Sequence, residues 1–427
     1  MNKAESFLQA HKMLASQVNL EELVNGFLKH MEAGLKGEPS TLMMLPTYIE
    51  AEGDVKANDP VVAIDAGGTN FRVATVYFDN NLKLVTENIR HYKMPAVEKE
   101  LSKKEFFDTF AEYLSDYKDV SEKIGFCFSY AAEIFPNKDG KLLEWSKEVK
   151  APEVIGEMIG EQMLAAMGTP DKQLVLMNDT VSTLLAGKAE TAGKTYDTYI
   201  GFILGTGTNT SYIEANKNIT KTPDLSLDSS QIINIESGNF GNAPRTDIDI
   251  TFDNTTKNPE RYSFEKMFSG GYFGGLCTTT LKIAADEGLF SFRTKGQVKN
   301  LPELSSEEVN KYVCCTGMDE NQLNLVLVTT EDKEIASGIV NGLIERAAKL
   351  VAANLAAVIL KTGKAKTAEK PVLMTIEGTT FYKLHNFQKM FEAFLQKFLS
   401  GENQRYYEIV EVENSSLLGA AIAALVN

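Results

Sequence analysis

The stretch Leu174-Val175-Leu176-Met177-Asn178-Asp179-Thr180 constrains this chain more than any other. Its apolar run stops at an amide and a carboxylate, and helical spacing resumes over Val181–Ala189. That order describes a buried strand handing two polar side chains to the carboxyl edge of a sheet. Open α/β sheets bind ligands at that edge. A carboxylate placed there can take a proton from a substrate hydroxyl. Asn and Asp also favour the N-cap of a helix, so both roles stay open at this point.

The flanking pattern supports a mixed sheet covered by helices. Residues 1–35 read as amphipathic helix, with Leu20, Leu23, Val24, Phe27, Leu28 and Met31 on one face. Strands are expected at Val61–Asp65, Phe71–Phe78, Leu84–Arg90, Lys123–Ser129 and Leu174–Asn178, with helices at Lys103–Tyr117, Glu153–Met167 and Thr180–Glu190. A second set begins with strands Thr198–Leu204 and Thr210–Glu214. It continues through helices near Tyr262–Glu287 and Lys333–Leu360 to a strand at Val372–Ile376. Residues 216–230 and 292–306 read as polar loops. At 427 residues the chain can build two cores.

A formal charge of −15 argues against nucleic acid as a partner. No apolar run is long enough to span a membrane, and residues 1–18 lack a signal-peptide core. The four cysteines form no framework, which points to reduced thiols and a cytoplasmic protein.

An internal echo is informative. Asp65-Ala66-Gly67-Gly68-Thr69-Asn70 and Leu204-Gly205-Thr206-Gly207-Thr208-Asn209 both place Gly-Thr-Asn after a strand. Backbone N–H groups in such turns, with the side chains of Thr69, Asn70 and Arg72, suit phosphate oxygens. Neither turn is a P-loop or a dinucleotide fingerprint. Each alone fits hairpin chemistry equally well; together they suggest two related lobes clamping one ligand.

At this point the chain resembles the hexokinase/glucokinase family. The likeness is carried by Met43-Met44-Leu45-Pro46-Thr47-Tyr48, Ile64-Asp65-Ala66-Gly67-Gly68-Thr69-Asn70-Phe71-Arg72, Trp145-Ser146-Lys147 and Asn178-Asp179-Thr180. It continues in Gly205-Thr206-Gly207-Thr208-Asn209, Phe264-Glu265-Lys266-Met267 and Gly378-Thr379 with Tyr382-Lys383-Leu384-His385. The resemblance implies an α/β, two-lobed actin-like ATPase (ribonuclease H-like) fold with a ligand cleft between the lobes. It implies ATP and Mg²⁺ as cofactors and a hexose as substrate, glucose favoured, with fructose and mannose open. Asp179 is then the expected base for the sugar 6-hydroxyl, with Asn178, Asn209, Glu236, Ser129, Ser146 and Lys147 on the sugar. Lys147 and Arg72 would balance charge near the phosphoryl group. Asp65 would orient Mg²⁺ through water. Gly67, Gly68, Thr69, Asn70, Thr206, Gly207, Gly378, Thr379 and Gly419 would lie on the nucleotide side.

The family pattern breaks in three places. Gly275 stands where the family has a sugar-binding Glu. Phe128-Ser129-Tyr130-Ala131 replaces Phe-Ser-Phe-Pro, and Ser415-Ser416-Leu417-Leu418-Gly419 replaces a glycine-rich run. These departures keep a second reading in view, a non-catalytic sugar sensor or scaffold. The expected division is a helical segment 1–60 on the large lobe, a small lobe 61–200 joined by 410–427, and a large lobe 201–409. The oligomeric state is not legible.

Overall fold

A computed structural model describes residues 2–51, 56–81, 83–145, 149–191 and 193–427. In chain order the strands are β1 (Leu45–Pro46), β2 (Val61–Ala66), β3 (Asn70–Phe78), β4 (Leu84–Lys93), β5 (Lys123–Phe128), β6 (Ala131–Ile134) and β7 (Gly140–Glu144). They continue as β8 (Gln173–Met177), β9 (Thr198–Leu204), β10 (Thr208–Ala215), β11 (Ser230–Asn234), β12 (Val372–Glu377) and β13 (Tyr407–Val410). The helices are α1 (Lys3–Ala10), α2 (Leu20–Lys36), α3 (Lys103–Tyr113), α4 (Ile159–Met167), α5 (Asp179–Glu190), α6 (Asp247–Asp253) and α7 (Phe273–Asp286). After them come α8 (Phe292–Lys299), α9 (Ser306–Val313), α10 (Gln322–Val326), α11 (Thr330–Thr362), α12 (Thr379–Lys383), α13 (Phe387–Phe398) and α14 (Ser415–Val426).

Two sheets share one plan. The first has the order β4-β3-β2-β5-β8 and the second β1-β11-β10-β9-β12-β13. Each starts as an antiparallel meander, β2-β3-β4 or β9-β10-β11. Two parallel strands then join beside the meander's first strand, β5 and β8 in one sheet and β12 and β13 in the other. Parallel neighbours need long crossovers, supplied by the β6–β7 hairpin with α4 in one case and α12 with α13 in the other.

The apolar faces sort into three cores. One joins the second sheet to α2, α7 and α11. Another packs the first sheet's outer face on α3 and α4, centred on Phe106, Phe110, Phe126 and Phe128. The third lies between the sheets and is filled by α5 and α14. α1 and α2 pack on α11, and β1 pairs with β11, so the first 46 residues attach to the second sheet.

The polar stretch 292–306 is not all loop. Residues Phe292–Lys299 form α8, which buries only Thr294 and Val298 and so looks like loop by composition. The Asp332 carboxylate secures its start by accepting from Ser291 N–H at 2.7 Å and Thr294 Oγ1 at 2.8 Å. The helix expected from Glu153 starts at Ile159, because Gly156 turns the chain at φ +89°. The β6–β7 hairpin and β13 carry four or five residues per strand, too short to show a period.

Candidate active site

Open α/β sheets place their ligands outside the carboxyl ends of parallel strands. There β2 delivers Asp65, β5 delivers Ser129, β8 delivers Asn178 and Asp179, and β12 delivers Glu377 and Gly378. Of the two roles that the sequence leaves open for the polar pair after β8, the N-cap is the one the structure displays. Asn178 caps α5, its Oδ1 accepting from Thr180 N–H at 3.0 Å, and Asp179 stands half-buried in the first turn.

Beside Asp179 lies a network of amides and carboxylates. Asn209 Nδ2 donates to Asn234 Oδ1 at 2.7 Å, Glu236 Oε1 at 3.1 Å and Asn178 Oδ1 at 3.3 Å. Asn234 Nδ2 also reaches Glu236 Oε1 at 2.8 Å. Burial pushes the Glu236 carboxyl upward, the Asn234 and Asn209 hydrogen bonds oppose that, and the Asp179 charge adds to the rise. Glu236 is held in the left-handed region at φ +57°, a conformation a non-glycine residue adopts only when its surroundings impose it. Asn234 is an addition to the expected set; it ends β11, a strand absent from the sequence expectations.

Glu377 is the other residue the sequence does not flag, although it directly precedes Gly378. Its carboxylate accepts from Ser415 Oγ and, at 3.3 Å, from Thr183 Oγ1. Burial raises its pKa, the Ser415 bond opposes this, and Asp179 and Asp65 raise it further. Three carboxylates from three strand ends therefore share one region.

Arg72 offsets part of that charge. Its Nε and Nη2 donate to Asp65 Oδ2 at 2.9 and 2.5 Å, and Nη1 reaches Asn414 Oδ1 at 2.9 Å. A carboxylate with one oxygen engaged by Arg72 is a suitable partner for a water-clad Mg²⁺, which binds through one or two carboxylates plus phosphates.

Both glycine-containing turns offer donors. The N–H groups of Gly68, Thr69, Thr206 and Gly207 are bonded to no other described residue. Tyr130 Oη donates to Gly67 O at 2.7 Å, so the tyrosine in the altered Ser129 segment steadies the first turn. Asn70 is exposed at the start of β3. The second turn is braced harder. Gly270 and Gly271 N–H donate to Gly205 O and Thr206 O at 2.8 Å, and the Glu265 carboxylate accepts from Thr208 N–H at 2.8 Å. Gly378, at φ +120°, packs against the same turn. A Cβ there would lie 2.2 Å from Leu204 O, so only glycine fits. Thr379 then opens α12, and Thr380 Oγ1 donates to Gly205 O at 2.9 Å.

Gly419 needs correcting. It is buried inside α14, which begins four residues earlier at Ser415, and its missing Cβ would lie 1.9 Å from Ser182 O of α5. It permits a helix crossing and does not face a ligand. Ser129 directly follows β5, half-buried, with its N–H bonded to Ala66 O at 3.1 Å. Ser146 and Lys147 lie outside the described residues. At Gly275, in the first turn of α7, an added Cβ would meet Phe252 at 2.6 Å and Glu303 Oε1 at 3.0 Å. The Glu303 carboxylate thus stands where a longer side chain at 275 would begin.

Among the described residues no helix is long and apolar enough to cross a membrane. Two family profiles, both described as Hexokinase, match residues 199–426 and 4–189. Hexokinase-3 of Homo sapiens is 29% identical over 84% of this chain, which spans 40% of that protein. Glucokinase-1 of Saccharomyces cerevisiae is 28% identical, over 95% of this chain and 94% of its own. The structure of hexokinase from Schistosoma mansoni complexed with glucose has the same fold, with TM-score 0.79, 24% identity and coverage of 99% and 100% of the two chains. A ROK hexokinase from Thermus thermophilus shares the broader architecture at TM-score 0.51 and 14% identity over 86% of this chain. The two-lobed actin-like ATPase fold expected from the sequence is the fold found, and the chain belongs to the hexokinase family.

Proposed function

We propose that this protein phosphorylates a hexose, glucose foremost, at its 6-hydroxyl, using ATP with Mg²⁺. The observation that carries the reading is the position of Asp179. It follows Asn178 of an amide–carboxylate network suited to sugar hydroxyls, its charge acts on both Glu236 and Glu377, and the two glycine turns offer open N–H groups suited to phosphates. Bound MgATP supplies the phosphoryl group; the chain positions the reactants and offsets charge, which phosphoryl transfer chiefly requires.

In this scheme Asp179 accepts the proton of the 6-hydroxyl, while Asn178, Asn209 and Glu236 hold neighbouring hydroxyls with Ser129, Ser146 and Lys147. Arg72 and Lys147 balance the phosphoryl oxygens, and Asp65 receives the hydrated Mg²⁺. Gly67, Gly68, Thr69, Asn70, Thr206, Gly207, Gly378 and Thr379 line the nucleotide side. Glu303 supplies a carboxylate near Gly275, so hexoses differing in hydroxyl stereochemistry, fructose and mannose included, are candidate substrates. The lobes divide as 61–200 with 410–427, and 201–409 with 1–60. Four cysteines outside any disulfide fit a cytoplasmic setting, and a hexose 6-phosphate product would feed glycolysis.

The test is ADP release coupled to a panel of hexoses. Sugar-dependent turnover that disappears in Asp179→Ala supports the kinase. Tight hexose binding without turnover in the unaltered protein would transfer the reading to a sensor.

A further inference from the structure

One contact bridges the two halves outside the site described above. Glu144 ends β7, whose Leu142 belongs to the core of the first sheet. Arg261 and Tyr262 come from the loop before Phe264 and Met267, which belong to the core of the second sheet. Arg261 Nη1 and Nη2 donate to Glu144 Oε2 and Oε1 at 3.1 and 2.8 Å, a fork-on-fork pair. Tyr262 Oη donates to the same Oε1 at 2.6 Å. Burial alone would raise the Glu144 carboxyl, but the Arg261 and Tyr262 hydrogen bonds outweigh it and hold the group ionised.

The loop carrying the two donors is built to present them. Glu260 and Tyr262 both sit in the left-handed region, at φ +68° and +54°. Beneath them the buried Asp253 accepts from Glu260 N–H at 2.9 Å, Arg245 Nη1 at 3.0 Å and Lys266 Nζ. Lys266 also donates to Asn258 O at 2.6 Å. A buried ion cluster thus sets a strained loop whose tip meets the opposite half. The contact lies at the sugar end of the crevice, since Glu236 feels the charge of Glu144 and Tyr262 feels that of Glu236.

We propose that Glu144, Arg261 and Tyr262 are positioning residues, a clasp that holds the two halves closed around a bound hexose and keeps water from the phosphoryl group. The clasp rests on the kinase reading, yet sugar binding tests it separately. Glu144 is followed by Trp145, the only tryptophan in the chain, packed on Tyr130 at 4.8 Å and Phe106 at 5.5 Å between ring centres. Its emission reports on this segment without any need for turnover.

The experiment titrates glucose against tryptophan emission in the unaltered protein and in Glu144→Gln, Arg261→Ala and Tyr262→Phe, each checked for an unchanged melting temperature. Half-saturation is expected to rise about threefold to tenfold in Arg261→Ala and less in Tyr262→Phe, in keeping with a half-exposed bidentate pair. ADP formed per sugar phosphate is expected to rise above that of the unaltered protein, because an unlatched crevice admits water. Folded variants with unchanged half-saturation and an unchanged ADP-to-product ratio overturn the clasp. Should Arg261→Ala fail to fold, Tyr262→Phe, which removes one hydroxyl, decides the matter through the same two measurements. Glucose binding without turnover in the unaltered protein would defeat the kinase reading while half-saturation still decides the clasp.

Discussion

The turns at Gly67–Asn70 and Gly205–Thr208 carry the same Gly-Thr-Asn, yet their asparagines have opposite fates. Asn70 is exposed, whereas Asn209 is buried at the centre of the amide–carboxylate network. Register explains the difference. In the first hairpin Ala66 pairs with Phe71, so Gly67 to Asn70 lie beyond the closing pair and Asn70 pairs only with Lys93 of β4. In the second, Leu204 pairs with Thr208, so the turn is one residue shorter and Asn209 enters the ladder opposite Ile203. Both asparagines lie on the face the two sheets turn toward each other, Asn70 with Ala74 and Asn209 with Ile213, but Asn70 stands outside its closing pair and Asn209 inside. A repeated motif can therefore keep its donor N–H groups in both copies while giving its amide to the solvent in one and to a buried network in the other.

The strongest challenge to that division is removal of the group it surrounds. Asp179→Ala is expected to lower kcat by about 10²–10⁴-fold with hexose half-saturation far less affected, measured by coupled ADP release. Next comes the paired substitution of the two asparagines. Asn209→Ala leaves Glu236 short of a donor and is expected to weaken hexose binding about 10–100-fold, the worth of a hydrogen bond to a charged group. Asn70→Ala is expected to leave hexose binding unchanged and to act, if anywhere, on the KM for ATP. Equal effects of the two on hexose binding would erase the distinction.

Gly419→Ala separates packing from ligand contact. The added methyl meets Ser182 O, and overpacking of this kind costs about 1–3 kcal/mol, read as a lower melting temperature with the KM for ATP unaltered in the folded fraction. Glu265→Gln tests the stronger bracing of the second turn. It keeps the shape but weakens the acceptor for Thr208 N–H, and a rise of about threefold to tenfold in the KM for ATP is expected.

The smallest effect lies far from both turns. His11 bonds Asp247 at 2.7 Å and Glu287 at 2.9 Å, tying α1 to α6 and the end of α7. Burial works to lower its pKa, but the two carboxylates prevail and raise it above 6.5. A raised histidine adds stability that is complete below its unfolded value and fades as pH climbs through the folded one. The melting temperature should therefore decline slightly from about pH 6.5 upward in the unaltered protein, and His11→Asn should flatten that slope.

Much of this is legible in the sequence, for identifiable reasons. The strands that carry the site are short continuous apolar runs ending in Asp65, in Asn178-Asp179 and in the glycine turn after Leu204, so their edges are marked by an abrupt change of polarity. Asn209 and Glu236 are reached through the resemblance, and their contact with each other appears only in three dimensions. Glu377 and Asn234 stay hidden because a strand-ending polar residue has no local signal when its partners are distant in the chain, as Ser415 and Asn209 are. Gly419 misleads because a glycine needed for a backbone crossing looks the same in sequence as one that admits a ligand. The α8 segment reads as loop because two inward residues in eight leave too narrow an apolar stripe to reveal a helical period.

The long helix α11 has a mechanical consequence. Its 33 residues form one unbroken rod about 50 Å long, capped at Thr329 and closed at Gly363. Arg346, midway along it, grips Asp249 of α6 through two bonds at 2.8 and 2.6 Å. A beam spliced in this way to the elements around it resists flexing, so whatever travel the crevice undergoes has to be taken up where the chain passes from one sheet to the other.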